Sequence, residues 1–374
     1  MKRMRKKNIH YFFGGVLITI VFFILFLIIS KTVSKLDNTI TTIIPTTPNI
    51  INRKPLEVKG SIPYWDQQKA FASFQEHVEQ FNYINLFWYY AGKDGSVIKY
   101  QYAKEDKKII SFAHDHGVKV SAVITNLPEY TGATWDSERI ENILSDSDRR
   151  TEHIQHIIDK LNDLDFDGII IDYESVHVRA RNNFTLFIQE LSEKLRKHNK
   201  ITTVVLHPKS DDRDKRGNGG FQDWKALTAS ADQIQIMGYG EHGDTNNAGA
   251  IASIPWLKRI VSYSDSLHLS KEKIFLGIPT YGYDWNDTQD TNPSDLTFIQ
   301  TQDLIRKYSP QLSYDENESA PYFHYKEKND DHTVWYENAK SIDEKVQLAK
   351  SSGFGGITFW RLGEEDPAMW DMLR

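Results

Sequence analysis

From about residue 55 onward, short β-rich runs alternate with amphipathic helical stretches, and this alternation restricts the fold more than any other feature of the chain. The runs are 56–63, 83–90, 118–126, 166–173, 201–207, 232–239, 273–281 and 355–361. Helical periodicity lies between them, for example over 147–164 and 181–199. In the latter, Phe184, Phe187, Ile188, Leu191 and Leu195 keep a three-and-four spacing, which gives one apolar stripe to lay on a sheet. Strands joined through helices run parallel, so the pattern predicts an α/β protein. Such repeats over about 320 residues suit a (β/α)8 barrel with insertions better than a doubly wound sheet. The gap at 282–354 is too long for one crossover helix. Two aromatic runs around a polar turn in 312–336 predict a small β-rich insertion there, at about 287–340, between the seventh and eighth strands.

Charge divides the chain. Lys2, Arg3, Arg5, Lys6 and Lys7 place +5 in the first seven residues, and residues 8–30 hold no Asp, Glu, Lys or Arg. The formal net charge of −6 therefore conceals −11 on the rest. Residues 11–30, YFFGGVLITIVFFILFLIIS, are almost wholly apolar. At ~1.5 Å per residue a helix of this length spans the ~30 Å hydrocarbon core. The reading is a basic cytoplasmic head (1–10), a transmembrane signal anchor (11–30), an extended stalk (31–54, rich in Thr, Asn and Pro) and an extracytoplasmic body (55–374). The alternative is a cleaved secretory signal. Its apolar region usually runs to only ~7–15 residues before a small-residue site, and Ile28-Ile29-Ser30-Lys31 is a poor one.

Composition removes several function classes. There is no cysteine, so disulfides, thiolate catalysis, cysteine zinc sites and lipoprotein anchoring are excluded. The pI near 6.1 lacks the basic footprint of a nucleic-acid binder. No G-x-G-x-x-G follows a strand and no Walker loop is present, so the usual nucleotide signals are missing.

Chemistry in such barrels sits at the C-terminal ends of the strands. The run Asp167-Gly168-Ile169-Ile170-Ile171-Asp172-Tyr173-Glu174 is the most informative of these ends. Side chains alternate along a strand, so 168, 170, 172 and 174 share a face. Asp172 and Glu174 then emerge together, ~7 Å apart along the strand, beyond an apolar run. Two carboxylates so placed can take different pKa values, the more buried one staying protonated as an acid. That is what glycosidic bond cleavage requires. An ordinary solvated strand end and a divalent-metal site are the competing readings. The histidines nearby do not complete a ligand set, so no metal or other cofactor is expected.

This segment resembles the D-G-x-D-x-D-x-E signature of glycoside hydrolase family 18, and the resemblance recurs strand by strand over about residues 56–370. Gly60-Ser61-Ile62-Pro63-Tyr64-Trp65 is similar to the first strand of the peptidoglycan-lytic, spore-cortex branch. Met237-Gly238-Tyr239-Gly240 resembles the M-x-Y-D of strand six. Leu276 to Tyr283 resembles the strand-seven motif and Gly353 to Arg361 that of strand eight. Ile251-Ala252-Ser253-Ile254-Pro255-Trp256 also looks like the cortex-lytic branch.

The resemblance implies a membrane-anchored glycosidase that cleaves β-1,4 bonds of N-acetylglucosamine-containing polysaccharide, peptidoglycan rather than chitin, with retention and with the substrate's own N-acetyl group as nucleophile. It implies Glu174 as general acid and base, Asp172 as the group that orients and charge-stabilises the acetamido nitrogen, and Tyr239 as a donor to the acetyl carbonyl. Trp360 is implied as the floor under the sugar, with Tyr281, Tyr64 and Met237 lining the same pocket. For Trp360 and Tyr281, core packing is the other reading. Two positions depart from the family pattern. Ile170 replaces the middle aspartate, a like charge whose loss is expected to lower the pKa of Asp172. Gly240 replaces the aspartate of M-x-Y-D, and Glu241 points the other way if the strand continues. These departures keep open a lectin-like carbohydrate-binding protein on the same fold. His207-Pro208-Lys209 either touches substrate or forms a structural turn. His114 and His116 read as a solvated face, and Lys209 to Arg216 as a solvated loop.

Overall fold

The computed structural model describes residues 55–373 apart from 130–133, 213–217, 244–246 and 290. The expected head, anchor and stalk at 1–54 lie outside the described residues. Among the described residues, no helix is long and apolar enough to cross a membrane. In chain order the strands are β1 (Glu57–Pro63), β2 (Tyr83–Ala91), β3 (Val97–Lys99), β4 (Lys119–Thr125), β5 (Gly168–Asp172), β6 (Ile201–Leu206) and β7 (Gln233–Ile236). They continue as β8 (Ile274–Pro279), β9 (Tyr281–Asn286), β10 (Ser294–Thr297), β11 (Leu312–Asp315), β12 (Ala320–Glu327), β13 (Asp330–Tyr336) and β14 (Gly356–Trp360). The helices are α1 (Gln67–Glu76), α2 (Lys107–Asp115), α3 (Ser137–Ser145), α4 (Ser147–Asp163), α5 (Arg181–Arg196), α6 (Trp224–Ser230), α7 (Ile254–Ser266), α8 (Phe298–Tyr308), α9 (Ala339–Ser352) and α10 (Met369–Met372).

Eight strands pair in parallel in the order β1-β14-β8-β7-β6-β5-β4-β2, and β1 pairs with β2 to close the ring. Each coincides with one of the eight runs read in the sequence. Closure removes the sheet edges, and the shell of helices buries the outward faces. In β5, Ile169 and Ile171 are fully or almost fully buried, as are Ile154, Ile157 and Leu161 of α4 and Phe184, Phe187, Ile188 and Leu191 of α5. Each such side chain contributes ~1.5–3 kcal/mol on burial. Helix starts are fixed by short polar side chains: Asp136, Asp146, Asp223 and Ser253 each accept from a backbone N–H of the following turn. Helix α5 stops at Arg196, short of the expected 199, and Asn199 turns the chain in the left-handed region at φ 57.

Sequence periodicity gives no sign of β3, a three-residue strand antiparallel to β2. Between β8 and α9 the chain forms a second, antiparallel sheet in the order β10-β9-β13-β12-β11. It buries a small core of its own, Phe323, Val334 and Tyr336. The aromatic runs of 312–336 become β12 and β13, paired from Tyr322↔Trp335 to Glu327↔Asp330.

The lumen of the barrel is unusually polar. Alternation sends 59 and 61 of β1, 83 and 85 of β2, 203 and 205 of β6 and 233 and 235 of β7 inward. At the N-terminal end Lys59 is fully buried, donates to Gln233 Oε1 at 2.5 Å and lies over the Phe275 ring at 4.1 Å. One layer higher Asn85 Nδ2 reaches Ser61 Oγ and Thr358 Oγ1, each at 3.4 Å.

Candidate active site

At the C-terminal ends of the strands the lumen opens into a pocket of about 280 Å³. One wall is aromatic: Tyr64, Trp65, Phe87, Tyr100 and Trp360; Trp135 also lines the pocket. The rings brace each other. Tyr64 stacks on Tyr100 at 4.6 Å between centroids, and Trp360 meets Phe87 at 5.5 Å and Trp65 at 6.1 Å, edge to face. Arg361 Nη1 donates to Asp66 Oδ2 at 2.7 Å, which ties the turn carrying Trp65 to the residue after Trp360. The facing wall holds Asp172, Glu174 and Tyr239, with Met237 beside them.

Local structure explains why these groups converge. β5 ends at Asp172, and the chain leaves the barrel through Glu174 and Ser175, the latter in the left-handed region at φ 54. Asn126, just past β4, clamps this exit: its Oδ1 accepts from Glu174 N at 2.8 Å and its Nδ2 donates to Glu174 O at 2.9 Å. The intervening Tyr173 points away from the pocket, where its hydroxyl meets His153 Nε2 at 2.6 Å. The same imidazole contacts Gly95 O through Nδ1 at 2.6 Å. Burial pushes His153 down to about 4, so the ring anchors Tyr173 as a neutral group. Opposite, Tyr239 lies over Gly277. A Cβ at that glycine would come within 2.9 Å of the Tyr239 ring and 2.7 Å of Ile236 O, so no other residue leaves the tyrosine its place.

The electrostatics follow from burial. Burial raises the Glu174 carboxyl well above the usual carboxylate range, and the charge of Asp172 beside it adds to the effect. Burial also pushes Asp172 up to about 7, opposed by its contact with Glu174. The pair thus holds a proton at neutral pH, and Glu174 is the group that keeps it. Ile170 lines the pocket and adds no like charge beside Asp172, so burial is the cause that raises it. Among the described residues Asp172 Oδ1 is buried with no hydrogen-bond partner. Tyr239 is raised well above 10 by burial, then by Asp172 and Glu174, and remains a hydroxyl donor.

The structure brings Asp172, Glu174, Tyr239, Met237, Tyr64 and Trp360 to this one pocket. It places Tyr281 elsewhere. β8 ends at Pro279, Thr280 is held to Trp360 O and Arg361, and Tyr281 opens β9 of the second sheet. There it pairs with Thr297 and packs against Tyr283. Gly240, at φ 84, has open space where a side chain would start, and Glu241 turns outward to accept from Ser253 N at 2.9 Å. The charged run at Lys209 is not a freely solvated loop at its start. Lys209 Nζ is buried against Asp212 at 3.0 Å and Gln222 O at 2.6 Å, and Arg181 joins through Asp212. Nor is His114 simply solvated, since its Nε2 lies 2.9 Å from Asp167 Oδ2. Among the described residues no cluster of His, Asp and Glu is arranged to hold a metal ion.

Three residues of the site escape sequence reasoning: Asn126, Trp65 and Trp135. Asn126 follows a strand end, where the barrel rule points, but an amide there declares no role. Trp135 stands in a stretch without periodicity and gives no signal.

The model of glycosyl hydrolases family 18 matches residues 61–365. The uncharacterized glycosylase YvbX of Bacillus subtilis (strain 168) is 30% identical over 272 residues, covering 71% of this chain and 77% of that protein. The cortical fragment-lytic enzyme of Bacillus anthracis is 27% identical, covering 78% of this chain and 67% of its own length. Among solved structures, a chitinase from Chromobacterium violaceum ATCC 12472 superposes with a TM-score of 0.78 at 27% identity, over 85% of this chain and 98% of that one. The Bacillus cereus spore cortex-lytic enzyme SleL shares the fold with a TM-score of 0.78 at 24% identity, over 86% of this chain and 74% of that one. With its buried carboxyl pair at the mouth of a closed parallel barrel, the chain belongs to glycosyl hydrolase family 18 and is a glycosidase.

Proposed function

We propose that this glycosidase cleaves β-1,4 bonds of N-acetylglucosamine-containing polysaccharide, peptidoglycan in preference to chitin, by retaining, substrate-assisted catalysis. The observation that carries the reading is the pairing, across one pocket, of a buried proton-holding carboxyl pair plus Tyr239 with an aromatic wall. The apolar C–H face of a pyranose stacks on Trp360 and Trp65, which turns the polar face of the sugar to Asp172, Glu174 and Tyr239. The acetyl oxygen attacks the anomeric carbon as the glycosidic C–O bond breaks, and Glu174 gives its proton to the leaving oxygen. Asp172 holds the acetamido N–H and offsets the positive charge of the oxazolinium in a water-poor site. Tyr239 donates to the acetyl oxygen and orients it. Water then attacks the anomeric carbon, Glu174 takes its proton, and the configuration is retained. Peptidoglycan is favoured because a curated relative is a cortical fragment-lytic enzyme.

Residues 11–30 complete the proposal as an uncleaved anchor that holds the catalytic body outside the cell, where tethering raises its effective concentration at the wall. The test is release of reducing ends by the full chain from purified peptidoglycan and, separately, from N-acetylglucosamine oligomers. Faster release from peptidoglycan is expected, as is membrane fractionation that is lost when 11–30 are deleted. Turnover confined to the oligomers would reverse the substrate assignment.

A further inference from the structure

We infer that His207 is the proton partner of Glu174. The inference rests on Glu174 being the acid. His207 is the first residue after β6, and alternation turns it to the lumen one step above Val205, which lines the pocket. Its Nε2 is buried, makes no hydrogen bond among the described residues and faces Glu174 Oε2 at 3.4 Å. Such contacts are often long before substrate binds and tighten in the complex. The ring is held in place from behind. Its backbone N–H donates to Gln222 Oε1 at 2.8 Å, and Gln222 Nε2 donates to Val205 O at 3.0 Å. Gly219 packs so closely that a Cβ there would lie 2.9 Å from His207 Cβ.

Among the described residues two ionisable groups face the imidazole: Glu174 from the end of β5, and Lys209 from its own loop, whose amine is engaged by Asp212 and Gln222. Burial, with the charge of Lys209, pushes His207 down to about 4, so at neutral pH the ring is an acceptor beside a protonated carboxyl. No substrate bond is made or broken at His207; only a proton moves, the Glu174 O–H breaking as the imidazole N–H forms. Its effect is on the state in which the pair holds one proton. That proton can sit on Glu174, hydrogen-bonded to Nε2, or on the imidazole beside a Glu174 carboxylate. Losing it leaves a naked carboxylate next to Asp172. A partner able to share the proton therefore lets Glu174 stay acidic to higher pH.

The pH profile of kcat/KM for the full chain on N-acetylglucosamine oligomers tests this, with wild type beside His207→Phe and His207→Gln. Wild type loses activity on the alkaline side as the proton leaves the pair. In both variants that limb is expected about one pH unit lower, whatever the height of the plateau. Phenylalanine cannot bind the proton, and glutamine can only donate to the anion. A folded variant whose alkaline limb coincides with wild type, including one merely slower at every pH, overturns the role of His207. Should His207→Phe not fold, His207→Gln carries the same comparison. Glu174→Gln runs alongside: if it turns over as fast as wild type, the assignment of the acid fails instead.

Discussion

Asn126 shows what a single side chain contributes to this site. Its amide makes both backbone hydrogen bonds that fix Glu174 after the strand has ended, so its loss lets the acid drift from the leaving oxygen. Two such bonds are worth ~1–3 kcal/mol, and Asn126→Ala is expected to lower kcat/KM roughly tenfold to a hundredfold while Tm falls by only a few degrees. Steady-state kinetics with thermal unfolding checks this; unchanged kcat/KM would mean that Glu174 is held by something else. At this scale the sequence is legible where residue type and strand position coincide. Asp172 and Glu174 stand out because two carboxylates on one strand face after an apolar run have few structural uses. Asn126 does not, because an amide at a loop start looks the same whether it clamps a backbone or faces solvent, and His207 reads equally as a substrate contact or a structural turn. Tyr281 is not legible as the start of a second sheet because only Thr280 separates the end of β8 from the start of β9, and the sequence reads as one continuous β-like run.

Among the elements, the barrel strands are the most legible part of the fold, since each is a buried parallel strand bounded by helical periodicity. The second sheet is visible only as aromatic runs, and its pairing order has no counterpart in local pattern. Lys59 of β1 is the residue that strand patterning explains least, a fully buried amine in the lowest layer of the lumen. Burial lowers its pKa from 10.5 to about 7, with Glu57 opposing. Between those values the unfolded chain binds a proton that the folded chain does not, so this group adds stability as pH rises from about 7 and removes it as pH falls. Lys59→Met leaves no orphan, since Gln233 Oε1 keeps Thr203 Oγ1 at 3.1 Å. Urea unfolding is expected to find the variant more stable at pH 7 by about 1 kcal/mol or more, the gain shrinking toward pH 10. A variant less stable than wild type at pH 7 would show that the cation over Phe275 and its hydrogen bonds outweigh desolvation.

For the whole molecule, closure of the barrel places the ends of distant strands around one opening. Only there do β1, β5, β7 and β14 contribute Tyr64, the carboxyl pair, Tyr239 and Trp360 to a single pocket. The surplus of aromatic residues in the sequence has part of its use at that opening, as a wall for the apolar faces of sugars, and the acidic body hides two carboxyls that burial keeps from both ionising. The most direct test compares the full chain with its Glu174→Gln variant for release of reducing ends from peptidoglycan or N-acetylglucosamine oligomers. Glutamine keeps the shape and removes the proton. A loss of at least a thousandfold in kcat is expected, with binding of the oligomer retained. Equal turnover by the two proteins would contradict the assignment of Glu174 as the acid.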